Sequence, residues 1–165
     1  MVPAELLPVL LAQLFPVVSG PQELDRVDEV LAEREGEFVA SLRSDPEMVA
    51  ASCRRGYLPM SEDFTGHEVL LIKVHKQRMV LELPELHVSR STRRRARELE
   101  LRIDADFDRC LRSIVDYHPE RWLTAPLCDA LRELNGRPRA GVRTHSVEVY
   151  AHGELVAGEV GYACG

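Results

Sequence analysis

Five arginines lie within eight consecutive residues of this acidic chain: Arg90, Arg93, Arg94, Arg95 and Arg97. The formal net charge of the 165 residues is −6, so the cluster is a strong local exception. If the segment is helical, Arg90, Arg94 and Arg97 lie near one face, and their guanidinium groups can bind successive phosphates. The alternative is a solvated charged face that pairs with Glu98 and Glu100. The local excess of positive charge favours phosphate binding.

The single tryptophan, Trp122, lies directly before a predicted helix start at Thr124-Ala125-Pro126. A Trp in this position is usually a core residue or a hydrophobic staple. The functional alternative is that its indole forms the wall of a pocket for an apolar side chain. The physics of the sequence alone favours the core.

The segment His145–Tyr150 predicts a strand with polar groups along one side. Ser146, Glu148 and Tyr150 share one face, whereas His145 shares the other face with two valines. The polar face could line a cleft or meet solvent. His145 could act as a base, although a buried histidine with satisfied hydrogen bonds is the commoner outcome.

The sequence predicts no metal site. Three aspartates, Asp104, Asp106 and Asp108, alternate as in an EF-hand loop, but Arg109 stands where the loop needs Gly and Val115 where it needs Glu. The cysteines have no C-x-x-C spacing, which argues against a zinc ribbon. All four are predicted to be small core residues in a reducing, intracellular compartment, and they are Cys53, Cys110, Cys128 and Cys164.

The elements that position these residues begin with helices. The apolar stretch Leu6–Val18 predicts a helix that packs onto the body of the protein, and apolar spacing predicts a helix over Pro21–Ser41. Ser44-Asp45-Pro46-Glu47 is a helix start with a capping side chain followed by Pro. Gly56 is the expected end of that helix, and an extended segment follows it.

Hairpins and helices are mixed in the rest of the chain. The predicted elements are a hairpin of Glu68–Val74 with Arg78–Leu83, a helix from Asp104 or Asp106 to Tyr117, a helix that starts at Thr124-Ala125-Pro126 and ends near Asn135-Gly136, and a hairpin of His145–Tyr150 with Leu155–Tyr162 around His152-Gly153. This order predicts an α+β fold. We divide the chain into a helical region at 1–62, a β-hairpin connection at 63–86 and a third domain at 87–165.

Several segments, taken together, resemble the leucyl/phenylalanyl-tRNA–protein transferase family. They are Arg54–Met60, Leu86–Ser91 with the arginines that follow, Arg102–Phe107, Trp122-Leu123-Thr124, and His145–Tyr150 with Gly153–Gly158. No single segment is decisive, but their order and spacing are specific. The resemblance covers the chain from Ser44 to Gly165.

The resemblance implies an acyl-CoA N-acyltransferase-like (GNAT-like) domain, incomplete at its C-terminus, after a smaller N-terminal region. It also implies transfer of a leucyl or phenylalanyl group from aminoacyl-tRNA to the N-terminal Arg or Lys of acceptor proteins. The implied setting is N-terminal-rule degradation in the cytoplasm, by a monomer that uses no cofactor and no membrane. The alternatives are a non-catalytic tRNA- or RNA-binding module or inactive truncated paralogue, and a thioester-dependent acetyltransferase. The last needs a Q/R-x-x-G-x-G/A loop, which the sequence lacks.

The resemblance also assigns residues to the implied reaction. The substrate-pocket positions are Trp122, Met60, Tyr57, Pro59 and Glu148, and the positions that face the tRNA are Arg90, Arg93, Arg94 and Arg97. Met60 stands where many members have Trp. Members usually continue into a carboxylate and amide pair that serves as the proton relay. We therefore expect the relay beyond Gly165 and assign no catalytic residue within the chain.

Overall fold

The clearest local signal in the sequence, the helix start at Asp45, forms as predicted. The computed structural model describes residues 3–118 and 122–165. Helix α3 spans Pro46–Arg54, and the Asp45 carboxylate accepts hydrogen bonds from the backbone N–H groups of Glu47 and Met48. Gly56 then has φ of +74°, a conformation that costs glycine little. The chain leaves the helix directly into a strand.

The described residues before α3 form two short α-helices and one strand, together with 3-10 turns. Helix α1 spans Leu7–Leu14 and buries Leu7 and Leu11, which confirms the packing predicted for this stretch. Helix α2 spans Val27–Ala32, after a 3-10 turn over Pro21–Arg26.

The single helix predicted over Pro21–Ser41 is wrong in its last part, because strand β1 spans Phe38–Ser41. Val39, Ala40 and Ser41 are all fully buried there. A short strand without polar alternation cannot be distinguished from a helix by periodicity.

The first sheet has the order β1-β3-β2 and is antiparallel. Strand β2 spans Leu58–Phe64 and β3 spans His67–Lys73, joined by a tight turn in which Thr65 and Gly66 have positive φ. The hairpin predicted between Glu68–Val74 and Arg78–Leu83 is therefore wrong. Strand β3 already has a partner on each side, and residues 78–83 form no strand. The predicted boundary at residue 62 falls inside β2, and the division into three parts stays a prediction.

The second sheet has the order β4-β5-β6 and is also antiparallel. Strand β4 spans Leu99–Ile103, β5 spans Val142–Ala151 and β6 spans Glu154–Cys164. The hairpin of β5 and β6 confirms the prediction, with both residues of the turn, His152 and Gly153, at positive φ.

Three further α-helices lie among the described residues of the second half of the chain. Helix α4 spans Arg90–Arg95, α5 spans Phe107–Tyr117 and α6 spans Ala125–Gly136. The starts and ends of α5 and α6 confirm the predictions. The main core cluster joins both sheets through α3, α5 and α6, with residues such as Ile72, Met48, Leu111 and Leu127.

The fold is thus a mixture of helices and antiparallel sheets, as the α+β prediction states. Cys53, Cys110 and Cys128 are buried as predicted, whereas Cys164 is exposed at the end of β6. The prediction for Cys164 is wrong because β6 has a strand neighbour on one side alone within the described residues. No helix within residues 3–118 and 122–165 is long and apolar enough to cross a membrane.

Candidate functional site

An apolar cavity of about 310 Å³ lies where β2, α5, α6 and β6 meet. Its lining includes Leu58, Pro59, Trp122, Leu123, Val160 and Tyr162. Cys53 also reaches the wall, and burial raises the pKa of its thiol to about 12. That thiol is protonated at neutral pH, so it is not a nucleophile. The cavity can hold an apolar group and offers few charges to a polar one.

Two of the five predicted pocket residues, Trp122 and Pro59, line this cavity together. Tyr57, Met60 and Glu148 are not among its lining residues. Tyr57 is buried, and its backbone carbonyl accepts a hydrogen bond from the hydroxyl of the lining residue Tyr162 over 3.4 Å. Met60 is half-buried in the first sheet. A role in substrate binding for these three residues stays a prediction.

Trp122 is held in place by a residue that sequence reasoning missed. Ser61 of β2 donates from its N–H to the Trp122 carbonyl over 2.8 Å and from its hydroxyl to the same carbonyl over 3.0 Å. The N–H of Thr124 donates back to the Ser61 hydroxyl over 2.9 Å. Ser61 is 2% exposed. The one signal for it in the sequence is that Ser61 shares a strand face with Pro59.

A second cavity, of about 460 Å³, lies between α5 and β6. It shares Ile114, His118 and Gly158 with the apolar cavity. The imidazole of His118 stands edge-on to the Trp122 indole, with ring centroids 6.3 Å apart. The two cavities are therefore neighbours with a common wall.

Gly158 forms part of that common wall because a larger residue does not fit. A Cβ atom at this position would lie 2.5 Å from the sulfur of Cys110 on α5. No such contact occurs between real Cβ atoms and their neighbours, so the glycine lets α5 approach β6 closely. Gly158 ends the last segment of the family resemblance, which is the signal that could have identified it.

Glu148 is fully buried, and its neighbours account for both of its oxygens. The carboxylate accepts hydrogen bonds from the backbone N–H groups of Ala105 and Asp106, each over 3.1 Å, just before α5 begins. The Ser146 hydroxyl donates to it over 2.6 Å. The polar face predicted on β5 therefore points into the protein and anchors the start of α5. The register partner of Glu148 on β6 is Gly158, which lines both cavities.

His145, considered above as a base, lies on the opposite face of β5 and is bound to a carboxylate. Its Nδ1 lies 2.6 Å from Oδ2 of Asp104, a distance at which the N–H tautomer donates to the carboxylate. The Ser146 N–H and the Asn135 side chain also donate to Asp104. Burial acts to raise the pKa of Asp104, but the hydrogen bonds from His145 and Ser146 outweigh it and lower that pKa below 3.8.

The arginine cluster lies on α4 and the 3-10 turn that follows it. Ser89 caps the helix by accepting from the Thr92 N–H over 3.1 Å. All of the cluster's arginines are exposed, and within the described part of the chain none of them forms an ion pair. Glu100, one of the two acids considered as their partners, binds Arg102 instead over 2.7 Å, and Glu98 forms no ion pair with them among the described residues. This arrangement leaves Arg90, Arg93, Arg94 and Arg97 free to meet an external anion.

Comparison with known proteins identifies the group to which these features belong. A sequence model described as leucyl/phenylalanyl-tRNA protein transferase matches residues 80–165, which is just over half of the chain. The chain belongs to this family.

Curated transferases that carry the family name match a longer part of the chain. The leucyl/phenylalanyl-tRNA–protein transferase of Pseudomonas paraeruginosa is 35% identical over 146 residues, which cover 84% of this chain and 61% of the relative. The corresponding protein of Rubrobacter xylanophilus is 38% identical over 127 residues, covering 75% of this chain and 62% of the relative. The chain thus spans about three fifths of the length of the curated relatives that it matches.

The structure brings four of the segments that resemble the transferase family into two groups. Arg54–Met60 and Trp122-Leu123-Thr124 meet at the apolar cavity, through Pro59 and Trp122. Arg102–Phe107 and His145–Tyr150 meet through Glu148 and the backbone before α5. The first group builds a cavity wall, and the second anchors the helix that forms another wall.

Proposed function

We propose that this chain binds the aminoacyl end of a tRNA and takes part in transferring a leucyl or phenylalanyl group to the N-terminal Arg or Lys of an acceptor protein. One observation carries the proposal. Two segments of a transferase-family chain, about sixty residues apart in sequence, meet at a single apolar cavity through Pro59 and Trp122.

The apolar cavity would take the leucyl or phenylalanyl side chain. Its wall is formed by Leu58, Pro59, Trp122 and Leu123, which can exclude water from an apolar group. Such a wall distinguishes similar apolar side chains by a binding free energy of only about 1–3 kcal/mol per methylene. Acceptance of both Leu and Phe is therefore expected. The neighbouring cavity gives the rest of the aminoacyl ester a place beside the side chain.

The reaction does not require a nucleophilic side chain of the protein, because the aminoacyl ester is already activated. The neutral α-amine of the acceptor attacks the carbonyl carbon and a C–N bond forms. The ester C–O bond breaks with the tRNA ribose as leaving group, and the proton that the amine loses ends on the ribose oxygen as a hydroxyl. The protein has to hold amine and ester together and stabilise the developing oxyanion. We assign no catalytic residue among those described.

The tRNA itself would be held by α4 and the 3-10 turn that follows it. Arg90, Arg93, Arg94 and Arg97 are exposed guanidinium groups on one short segment, and guanidinium binds phosphate oxygens in pairs. The excess of positive charge in an acidic chain supports an anionic partner for this segment.

The wider setting follows from the family resemblance. An antiparallel sheet with α5 and α6 packed against it supports a GNAT-like domain over 87–165. We propose a cytoplasmic monomer that needs no cofactor and acts in N-terminal-rule degradation of its acceptors.

The test is to incubate the protein with radiolabelled leucyl-tRNA and a peptide that begins with Arg. The matched control is the same peptide with an acetylated N-terminus, which has no amine to react. Label in the free-amine peptide alone is the expected result. Retention of the tRNA without transfer would favour the non-catalytic binding module, and loss of both retention and transfer would contradict the proposal.

A further inference from the structure

The contact between Ser61 and the segment Trp122-Leu123-Thr124 connects two parts of the chain that are far apart in sequence. The Ser61 N–H and hydroxyl both donate to the Trp122 carbonyl, and the Thr124 N–H donates to the Ser61 oxygen. One serine thus binds the backbone on both sides of Leu123. Since Trp122 and Leu123 both line the apolar cavity, Ser61 fixes the backbone from which two wall side chains project.

The burial of Ser61 makes these bonds more effective. At 2% exposure, water cannot replace the hydroxyl as a partner. Loss of the hydroxyl would leave the Thr124 N–H without its acceptor, and an unpaired buried N–H is costly. The Ser61 N–H would still bind the Trp122 carbonyl, but the Thr124 N–H would have to find another acceptor. The backbone from Trp122 to Thr124 would shift to provide one, and the indole would move with it.

We propose that Ser61 is a positioning residue for the apolar cavity: it does not touch the substrate, but it holds the Trp122 indole and the Leu123 side chain where they grip a large apolar group. This inference rests on the proposed function, because it takes the cavity to be the site of the leucyl or phenylalanyl side chain. It adds a residue outside the segments of the family resemblance.

The chain offers an internal reporter because Trp122 is its single tryptophan. When the indole is excited selectively over the four tyrosines, the fluorescence emission therefore reports the surroundings of one wall residue of the cavity. The emission maximum and the quenching by acrylamide can be measured without any ligand. Titration with phenylalanine methyl ester or leucine methyl ester, followed by the same emission, measures binding to the cavity, and alanine methyl ester serves as the small-side-chain comparison.

The test variant is Ser61→Ala, which removes the hydroxyl and little volume. The matched control is Ser52→Ala, because Ser52 is also fully buried but donates its hydroxyl to Met48 within α3 over 2.9 Å. We expect Ser61→Ala to shift the emission to longer wavelength, to increase acrylamide quenching, and to weaken the phenylalanine ester by about tenfold. The ratio of the affinities for the phenylalanine ester and the alanine ester should be smaller for Ser61→Ala than for the parent protein. Ser52→Ala should leave all of these readouts unchanged.

Two results would overturn the proposal: a folded Ser61→Ala protein with the parent's emission and ester preference, or equal changes in the Ser52→Ala control. If Ser61→Ala does not fold, Ser61→Cys takes its place with the same outcomes, because a thiol is only moderately larger than the hydroxyl but hydrogen-bonds weakly. If the parent protein binds none of the esters while the emission responds to Ser61→Ala, the proposed function fails and the positioning of Trp122 by Ser61 stands.

Discussion

Gly158 and Cys110 are packed so closely that a Cβ atom on the glycine would lie 2.5 Å from the cysteine sulfur. Helix α5 therefore rests directly on β6. The glycine also belongs to the wall that the two cavities share. The shape of the candidate site thus depends on the absence of a side chain at one strand position.

The first prediction concerns this contact. Gly158→Ala should lower the free energy of unfolding by about 1–3 kcal/mol, because overpacking forces α5 away from β6. Adding Cys110→Ala should recover part of that loss, since the other neighbours of the new methyl lie at 3.7 Å and 3.8 Å, which are ordinary contacts. Urea unfolding of the two single variants and the double variant measures the coupling.

The control for this cycle is Gly161→Ala on the same strand, where a new Cβ has nothing within 4 Å. It should change stability by no more than about 0.5 kcal/mol. Strict additivity of Gly158→Ala and Cys110→Ala would show that the two residues do not meet.

The second prediction separates the two roles considered for Glu148. Glu148→Gln should lower the free energy of unfolding by about 2–4 kcal/mol, because an amide cannot accept from both the Ala105 and Asp106 N–H groups. Exposed Glu159 on β6 provides the control Glu159→Gln, which should be nearly neutral. Urea unfolding measures both. A stable Glu148→Gln protein that has lost ester binding would instead place Glu148 in the substrate pocket.

The third prediction is a pH dependence that Asp104 produces. The folded-state pKa of Asp104 lies below its usual 3.8, so its contribution to stability is complete above that value and is lost as the pH falls through the folded pKa. Asp104→Asn should therefore destabilise the protein near neutral pH, and the difference from the parent should shrink below about pH 4. Asparagine also tolerates the positive φ of 51° at this position.

Urea unfolding at a series of pH values measures that difference. The control is Asp116→Asn, a change at an exposed carboxylate of α5. Its free energy of unfolding should differ from that of the parent by the same small amount at each pH. A constant difference between Asp104→Asn and the parent down to acid pH would contradict the assigned role of Asp104.

The fourth prediction concerns the arginines of α4. Arg93→Glu together with Arg94→Glu should weaken tRNA binding and reduce the slope of log affinity against log salt by about two, because each lost phosphate contact removes close to one released counterion. Filter binding of leucyl-tRNA over a salt series measures the slope. The control is Arg112→Glu on the exposed side of α5, which should affect the slope little. An unchanged slope in the double variant would exclude α4 as the phosphate-binding segment.

Part of this structure follows from local signals in the sequence. Asp45 with Pro46 starts α3, and Asp106 starts α5, because a carboxylate before the first turn accepts from free backbone N–H groups. His152-Gly153 closes the β5–β6 hairpin because both residues adopt positive φ. Each helix start and the hairpin turn depend on residues that are close together in the sequence, so they could be predicted.

Other features depend on residues that are distant in the chain. Phe38–Ser41 forms a strand because its backbone can hydrogen-bond to the edge of β3. Strand β3 in turn pairs with β2 and not with the segment that follows β3 in the chain. The hydroxyl of Ser61 can donate to the Trp122 carbonyl only once β2 lies beside Trp122. No local pattern contains these pairings, because each requires the other segment to be in place.

The sequence by itself determined the family, the capped helices, the terminal hairpin and the concentration of arginines at 90–97. Tertiary structure alone decided that Glu148 points inward to hold α5, that Pro59 and Trp122 share one cavity, and that Gly158 must lack a side chain. The reason is physical: caps and turns satisfy backbone groups locally, whereas a cavity exists only between elements that have already packed.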